Sequence, residues 1–271
     1  MQLEELEGKK ALITGSKHGI GRGIAVLLAK YGVDVGINDI EYDQAARDTV
    51  NMVRNEGRNV SWHLADITKS SEIDRLFNEF IEEHGRIDIM INNAVDARLK
   101  PFLEITEDDW DFGVDIALKS YFLCSQRAAR EMVGQGTGGR IVSISSVHAF
   151  RTWPTALVYG VCKAAIIRMH KSMAVDLKGH NINCNSIAPG YIDSRILPPE
   201  QEHLRGDITL VTKSHGNYKK AINWIPTQRI GVPEDIARAV VFLCSSLGDY
   251  VNGQCIPVDG GFLAGGTPDS H

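Results

Sequence analysis

Three residues carry the chemistry that this sequence points to most directly. Tyr159 and Lys163 stand four positions apart, and Ser146 precedes the tyrosine by thirteen. A helix turns once every ~3.6 residues, so positions i and i+4 share a face. An ammonium held beside a phenol favours the phenolate, so Tyr159 is expected to fall from an ordinary pKa of ~10 toward working pH. Such a phenol takes a proton from an alcohol while a hydride leaves the same carbon. Ser146 is placed to hold the substrate oxygen. Alone, the Y-x-x-x-K spacing is weak evidence, because tyrosine and lysine share helix faces for many reasons.

A nucleotide-binding pattern near the N-terminus gives it weight. Thr14-Gly15-Ser16-Lys17-His18-Gly19-Ile20-Gly21 follows a short apolar run, Ala11-Leu12-Ile13, and precedes the helical pattern Ile24, Ala25, Leu27, Leu28, Ala29. Strand, glycine-rich turn and helix form the context in which glycines cradle a phosphate. Gly15 allows the tight turn, and Gly19 and Gly21 let ligand and backbone approach. The helix N-terminus offers free N–H groups and a positive dipole end to a pyrophosphate. Asp39 ends a second strand-like run, twenty residues after Gly19, and Ile40 follows it. An acid there accepts from a ribose 2′-hydroxyl and repels a 2′-phosphate, so NAD is preferred over NADP. Lys17 and His18 are counter-evidence, and a turn or cap role for Asp39 stays open.

With these pieces in order, the chain resembles the short-chain dehydrogenase/reductase family in its single-domain branch, from Gly8 to about Ala264. The carrying motifs are T-G-x-x-x-G-I-G at Thr14–Gly21, Asp66-Ile67, Asn92-Asn93-Ala94, Ser146, Tyr159 with Lys163, Pro189-Gly190 and Asp259-Gly260-Gly261. The resemblance implies a doubly wound Rossmann-type α/β sheet, a nicotinamide cofactor, and a homotetramer or homodimer. It makes Tyr159 the general acid/base and Ser146 the holder of the substrate oxygen. Lys163 lowers the Tyr159 pKa and holds the nicotinamide ribose. It places Asp66 and Ile67 at the adenine, Asn93 along the cofactor, and Ile192 and Ser194 near the carboxamide. Two positions depart from the family pattern. Seven residues after Trp110, where an asparagine normally shapes the helix and holds a proton-relaying water, stands Ala117. Val95 replaces the glycine of N-N-A-G.

The remaining sequence sets the frame. Seven strands are expected at Lys10–Ile13, Asp34–Asn38, Asn59–Leu64, Ile87–Asn92, Arg140–Ile144, Asn181–Ile187 and Gln254–Val258, with helices between them in one domain. Thr106 to Asp109 reads as a helix start with an acid at the third helical position, and Pro233 as another. Net charge is −5 without a basic stripe, so no nucleic acid is expected. The N-terminus lacks a signal-peptide core, and no apolar run approaches ~18 residues, so a cytoplasmic, non-membrane protein is expected. Five scattered cysteines and nine histidines show no metal spacing, and no catalytic metal is expected.

Substrate should bind beyond the carboxyl ends of the strands. Three segments are expected there: 96–102, 147–154, and a polar stretch at about 191–228 that reads as a lid. Ser145-Ser146-Val147-His148 with Trp153-Pro154 resembles the matching segment of bacterial glucose 1-dehydrogenases in the family. On that resemblance His148 bonds a sugar hydroxyl and Trp153 stacks on a sugar face; simple loop packing is an equal alternative. Tyr191 opens the lid. Arg98, Lys100 and Arg151, with Arg195 and Arg205 from the lid, suit an anionic sugar or other anionic alcohol, although each taken singly reads as a surface cation. The leading reading is an NAD-dependent dehydrogenase acting on CH–OH. Its rivals are an NADPH-dependent carbonyl reductase of 3-oxoacyl type and a low-turnover cofactor-binding sensor or scaffold.

Overall fold

Strand β1 (Lys10–Thr14) runs straight into Gly15, whose φ of +60° and lack of a side chain let the chain turn against the neighbouring strand end. A Cβ at Gly15 would stand 2.5 Å from the Ala94 Cα, so a larger residue cannot occupy the turn. The computed structural model describes residues 3–195, 197, 199–207 and 222–265. In them, β1 is followed by α1 (Gly19–Lys30), β2 (Asp34–Asp39), α2 (Gln44–Asn55), β3 (Val60–Leu64), α3 (Ser70–His84) and β4 (Ile89–Asn92). Then come α4 (Glu107–Val114), a π-helical segment (Asp115–Lys119), α5 (Ser120–Gln135), β5 (Gly139–Ile144), α6 (Leu157–Asp176), β6 (Ile182–Pro189), α7 (Pro233–Cys244) and β7 (Cys255–Val258).

The seven strands pair in parallel in the order β3-β2-β1-β4-β5-β6-β7. This is a single Rossmann-type α/β domain, and all seven expected strands are present within two residues at each end. Buried parallel strands present apolar side chains to both faces. Ala11 and Ile13 pack on one face with Ile24 and Leu28 of α1 and Ile236 and Val240 of α7. Leu12 and Met90 pack on the other with Phe77 and Phe80 of α3 and Cys124 and Met132 of α5. The order reverses between β1 and β4, and there the diverging loops open a crevice at the carboxyl ends.

Both expected helix starts are present. Thr106 and Asp109 cap α4 reciprocally, and Pro233 begins α7. All five cysteines are free thiols. Among the described residues no helix is long and apolar enough to cross a membrane. Of the expected lid at 191–228, residues 208–221 lie outside the described residues.

Candidate active site and nucleotide cleft

The crevice at the switch point is a cleft of about 590 Å³. Its lining brings together Gly15, His18, Gly19 and Ile20 from the glycine turn, Asp39 and Ile40 from the end of β2, and Asp66 from the end of β3. Asn93, Val95 and Ser194 complete the opposite wall. His18, at the N-cap of α1, makes no side-chain hydrogen bond to the helix, and free first-turn amides favour an anion. Gly21 lies too close to its neighbours for any side chain: a Cβ there would meet the Gly15 carbonyl oxygen at 2.6 Å and the Asn93 amide at 2.7 Å.

Several expected residues do supporting work, Asn93 and Asp66 while also lining the cleft. The Asn93 side-chain amide donates to the carbonyls of Thr14 (3.0 Å) and Gly15 (2.7 Å) and so pins the turn to β4. Asp66 accepts from the Thr68 amide and hydroxyl at 3.0 and 2.7 Å, and Ile67 is buried in the core beside α3. Ile192 is buried and bridges to Gly231, while the Gly190 amide donates to the Val258 carbonyl at 3.1 Å. Lys17 leaves the cleft altogether: its ammonium pairs with Asp43 at 2.9 Å and Glu41 at 3.4 Å. Burial alone would lower its pKa, but the Asp43 hydrogen bond and the charges of Asp39 and Asp43 outweigh it and hold it raised. Burial lowers the pKa of His18, which favours its neutral form.

Ser146 follows the carboxyl end of β5, the strand beside β4, and α6 delivers Tyr159 and Lys163. The Ser145 hydroxyl bonds the Lys163 carbonyl at 2.8 Å and ties the two elements together. Ser146 accepts from the His148 amide at 3.2 Å. Burial pushes the Tyr159 phenol up, and the neighbouring Ser146 hydroxyl pulls it back down. The direction is opposite to the fall expected from the Tyr–Lys spacing. Desolvation of the phenolate is the larger cause, and the Lys163 ammonium lies 5.5 Å from the ring centroid. The Lys163 ammonium is fully buried, donates to the Ile144 carbonyl at 2.7 Å and to the Tyr121 hydroxyl at 3.3 Å, and is drawn down to about 7 by burial.

An aromatic wall stands beside this centre. His148 stacks on Trp153 (centroids 4.3 Å apart) and meets the Tyr159 ring edge-on at 5.2 Å. Trp153 stacks on Phe262 at 5.6 Å, and Tyr191 meets Phe262 at 5.4 Å. Phe262 was not legible as a site residue; its one signal is an aromatic directly after Asp259-Gly260-Gly261. The stacking means that His148 and Trp153 pack the loop, and they do so against the acid/base candidate.

The expected cations divide sharply. Lys100 is bound to Asp109 at 2.6 Å and Arg195 to Asp193 at 2.7 Å, while Arg205 donates to the carbonyls of Asp193 and Arg195. These three are committed to the protein's own acceptors. Arg98 lies over the Phe112 ring at 3.5 Å. Arg151 lies over Trp153 and Phe262, 5.9 and 5.3 Å from their centroids. Among the described residues neither Arg98 nor Arg151 forms an ion pair.

Comparison with known proteins agrees with this geometry. A family model described as Enoyl-(Acyl carrier protein) reductase matches residues 15–263. The chain is 38% identical over 260 residues to the 2-dehydro-3-deoxy-D-gluconate 5-dehydrogenase of Escherichia coli (strain K12), covering 96% of this chain and 97% of that protein. It belongs to the short-chain dehydrogenase/reductase family. It is therefore an oxidoreductase acting on CH–OH or carbonyl groups. The acetoin dehydrogenase structure from Enterobacter cloacae superposes with a TM-score of 0.83 at 36% identity, covering 97% of this chain and 99% of that one. A structure from Agrobacterium tumefaciens with bound NADP gives 0.82 at 34%, covering 96% and 98%.

Within the family, the departure at Ala117 falls inside the π-helical segment. Ala117 is buried against Val158 and Cys162, the residues just before Tyr159 and Lys163. The Ser120 amide reaches back five residues to the Asp115 carbonyl, and the Ser120 hydroxyl takes the Ile116 carbonyl at 2.7 Å. The helix thus has an irregular turn at this point without an asparagine. Val95 borders the cleft half-exposed and leaves it open.

Proposed function

We propose that this chain is an NAD-dependent dehydrogenase that oxidises a secondary hydroxyl of a small sugar acid or related anionic alcohol. The observation that carries the reading is the meeting of Tyr159, Ser146 and Lys163 beyond the carboxyl end of β5, on the same edge of the sheet as the cleft that Asp39 lines. The donor set fits a dinucleotide. The uncapped amides of Gly19, Ile20 and Gly21 suit a pyrophosphate, and Asp39 with the Ile40 backbone suits a ribose diol. Asp66 and Ser194 line the cleft and suit the adenine and nicotinamide ends in turn, while Pro189, Gly190 and Ile192 lead the chain from β6 to Ser194. Bound there, the nicotinamide supplies the hydride acceptor. The chain's own residues manage the proton. The Ser146 hydroxyl and the Tyr159 phenolate hold the substrate hydroxyl, and the phenol oxygen takes its proton as the carbon is oxidised. Lys163 keeps a positive charge behind that oxygen.

Support for NAD comes from Lys17, which Asp43 and Glu41 draw away from the cleft that Asp39 lines. Support for an anionic substrate comes from Arg151, which lies over the aromatic wall beside Tyr159 and forms no ion pair among the described residues. The gluconate-derived substrate in the name of the Escherichia coli relative points the same way. A second reading, a small uncharged acyloin, is favoured by the mostly apolar cavity of about 850 Å³ on the far side of the wall, bordered by Phe102, His148, Trp153, Leu157 and Val161. The deciding assay follows absorbance of the reduced nicotinamide with NAD or NADP and a panel of sugar acids, neutral aldoses and acetoin. NAD reduction by a sugar acid is expected. Turnover of neutral aldoses or acetoin with none of the acids would overturn the anionic reading. The chain is further proposed to act as a homodimer or homotetramer, and its unpaired cysteines support a reducing, cytoplasmic setting.

A further inference from the structure

Lys163 must stay charged to do its work, yet nothing negative lies beside it. Its surroundings are Tyr159 and the Cys162 thiol on α6, Tyr121 on α5, and the Ile144 carbonyl on β5. Among the described residues it has no carboxylate partner. An ammonium has three N–H donors. One goes to the Ile144 carbonyl and one to the Tyr121 hydroxyl, and the third is left for the Tyr159 side. The face of the Tyr121 ring also lies under the charge, its centroid 4.9 Å from Nζ. Burial, with the Tyr159 charge second, pushes the Tyr121 phenol well above its ordinary value, so it stays a neutral acceptor and is not a second base.

We propose that Tyr121 is the positioning residue of Lys163, its phenol holding directly the ammonium that the family's asparagine, at the position of Ala117, serves through a relaying water. The assignment rests on the dehydrogenase reading above. The two sequence changes belong together. Ala117 is small and buried against α6, and the π-helical segment that contains it leads directly into α5, where Tyr121 is one of the largest fully buried side chains. The polar partner that alanine at 117 cannot offer on the Lys163 side is present at 121. This also explains how a chain without the asparagine can keep Ser146, Tyr159 and Lys163 as a working set.

The test is Tyr121→Phe, which removes the acceptor and keeps the ring, so a folded protein is expected and thermal unfolding verifies it. In protein labelled with 15N-lysine, NMR titration of the Lys163 amine is expected to show its midpoint lowered by roughly one pH unit, the scale of one hydrogen bond to a charged group. In NAD reduction, kcat is expected to fall about tenfold, with its rising pH limb moved upward and substrate KM little changed. Adding Ala117→Asn to Tyr121→Phe supplies an amide oxygen at the family's position and is expected to return much of the shift. An unchanged Lys163 midpoint in Tyr121→Phe overturns the assignment whatever the rate does. The parent reading fails separately, if Tyr159→Phe retains full turnover, because the NMR midpoint needs no substrate.

Discussion

Asp39 and Lys17 share one neighbourhood, and only Asp39 faces the cleft. The Asp39 carboxylate accepts from the Ile40 amide at 2.9 Å and from the Lys17 amide at 3.4 Å, lines the cleft, and has acceptor capacity left for the proposed ribose hydroxyl. A hydrogen bond to a charged group contributes about 1.5–3 kcal/mol. Asp39→Ala is therefore expected to lower kcat/KM with NAD by roughly 10- to 100-fold while NADP, relieved of a repelling charge, gains. An unchanged ratio of the two cofactors would remove Asp39 from specificity. Asp39 and the Ser146, Tyr159, Lys163 set were legible because their meaning lies in short spacings along one strand end or one helix face. Tyr121 was not, since its partner is 42 positions away and the contact depends on which way α5 turns. Charge pairing was also invisible. Lys100 and Arg195 read as anion receptors until Asp109 and Asp193 were found beside them.

At the scale of elements, the strands were legible because buried parallel strands are short apolar runs punctuated by glycine and acid. Their ends moved by a residue or two, where hydrogen bonding and not hydropathy sets the limit. The π-helical segment had no such signal: Asp115 to Lys119 contains no glycine or proline, and its bend shows only in the backbone bonds. Elements also carry a pH dependence. His170 on α6 is fully buried, and burial holds it down to about 4, with the Cys184 backbone pulling the other way. His84, at the end of α3, is drawn to about 4 first by burial and then by the charge of His63 on β3. Both rings meet the Ser61 hydroxyl at 2.7 Å. Each folded-state pKa lies below the unfolded value of ~6.5, so the unfolded chain takes up protons first. Stability is full above that value and is lost progressively as pH falls from ~6.5 toward 4. His170 alone is expected to cost about 2 kcal/mol by pH 5. Urea midpoints at pH 7.5 and 5 measure the loss, and His170→Leu should lose less; an equal loss in both proteins would acquit the buried imidazole.

For the whole molecule, the question is what covers the helices that leave apolar side chains in water. The patterns at Leu118–Met132 and Val158–Met173 read equally well as core or as a subunit contact. The fold shows that both helices are apolar on two sides. Tyr121, Cys124, Ala128 and Met132 of α5 and Val158, Cys162 and Ile166 of α6 point inward, whereas Phe122, Leu157 and Val161 are exposed, with Phe102, Leu103 and Trp110 exposed nearby in the chain. Single exposed apolar residues are ordinary, but a contiguous set marks a contact surface. The cavity bordered by Phe102, Leu157, Gly160, Val161 and Ala164 also reaches His148 and Trp153, so a second copy laid on α6 would close a wall next to the candidate active site. A closed homo-oligomer uses the same patch on both partners, and α6 meeting its own copy satisfies that condition. Light scattering is expected to give two or four times the 29.8 kDa chain mass. Val161→Asp, which puts a charge into the patch and touches no buried core residue, should move the mass toward the single chain. It should also lower affinity for substrate more than turnover, because the opened cavity lies beyond the proton-transfer groups. A wild-type protein that stays at the mass of one chain would mean that these side chains meet only water, and the cavity would then be a property of the monomer.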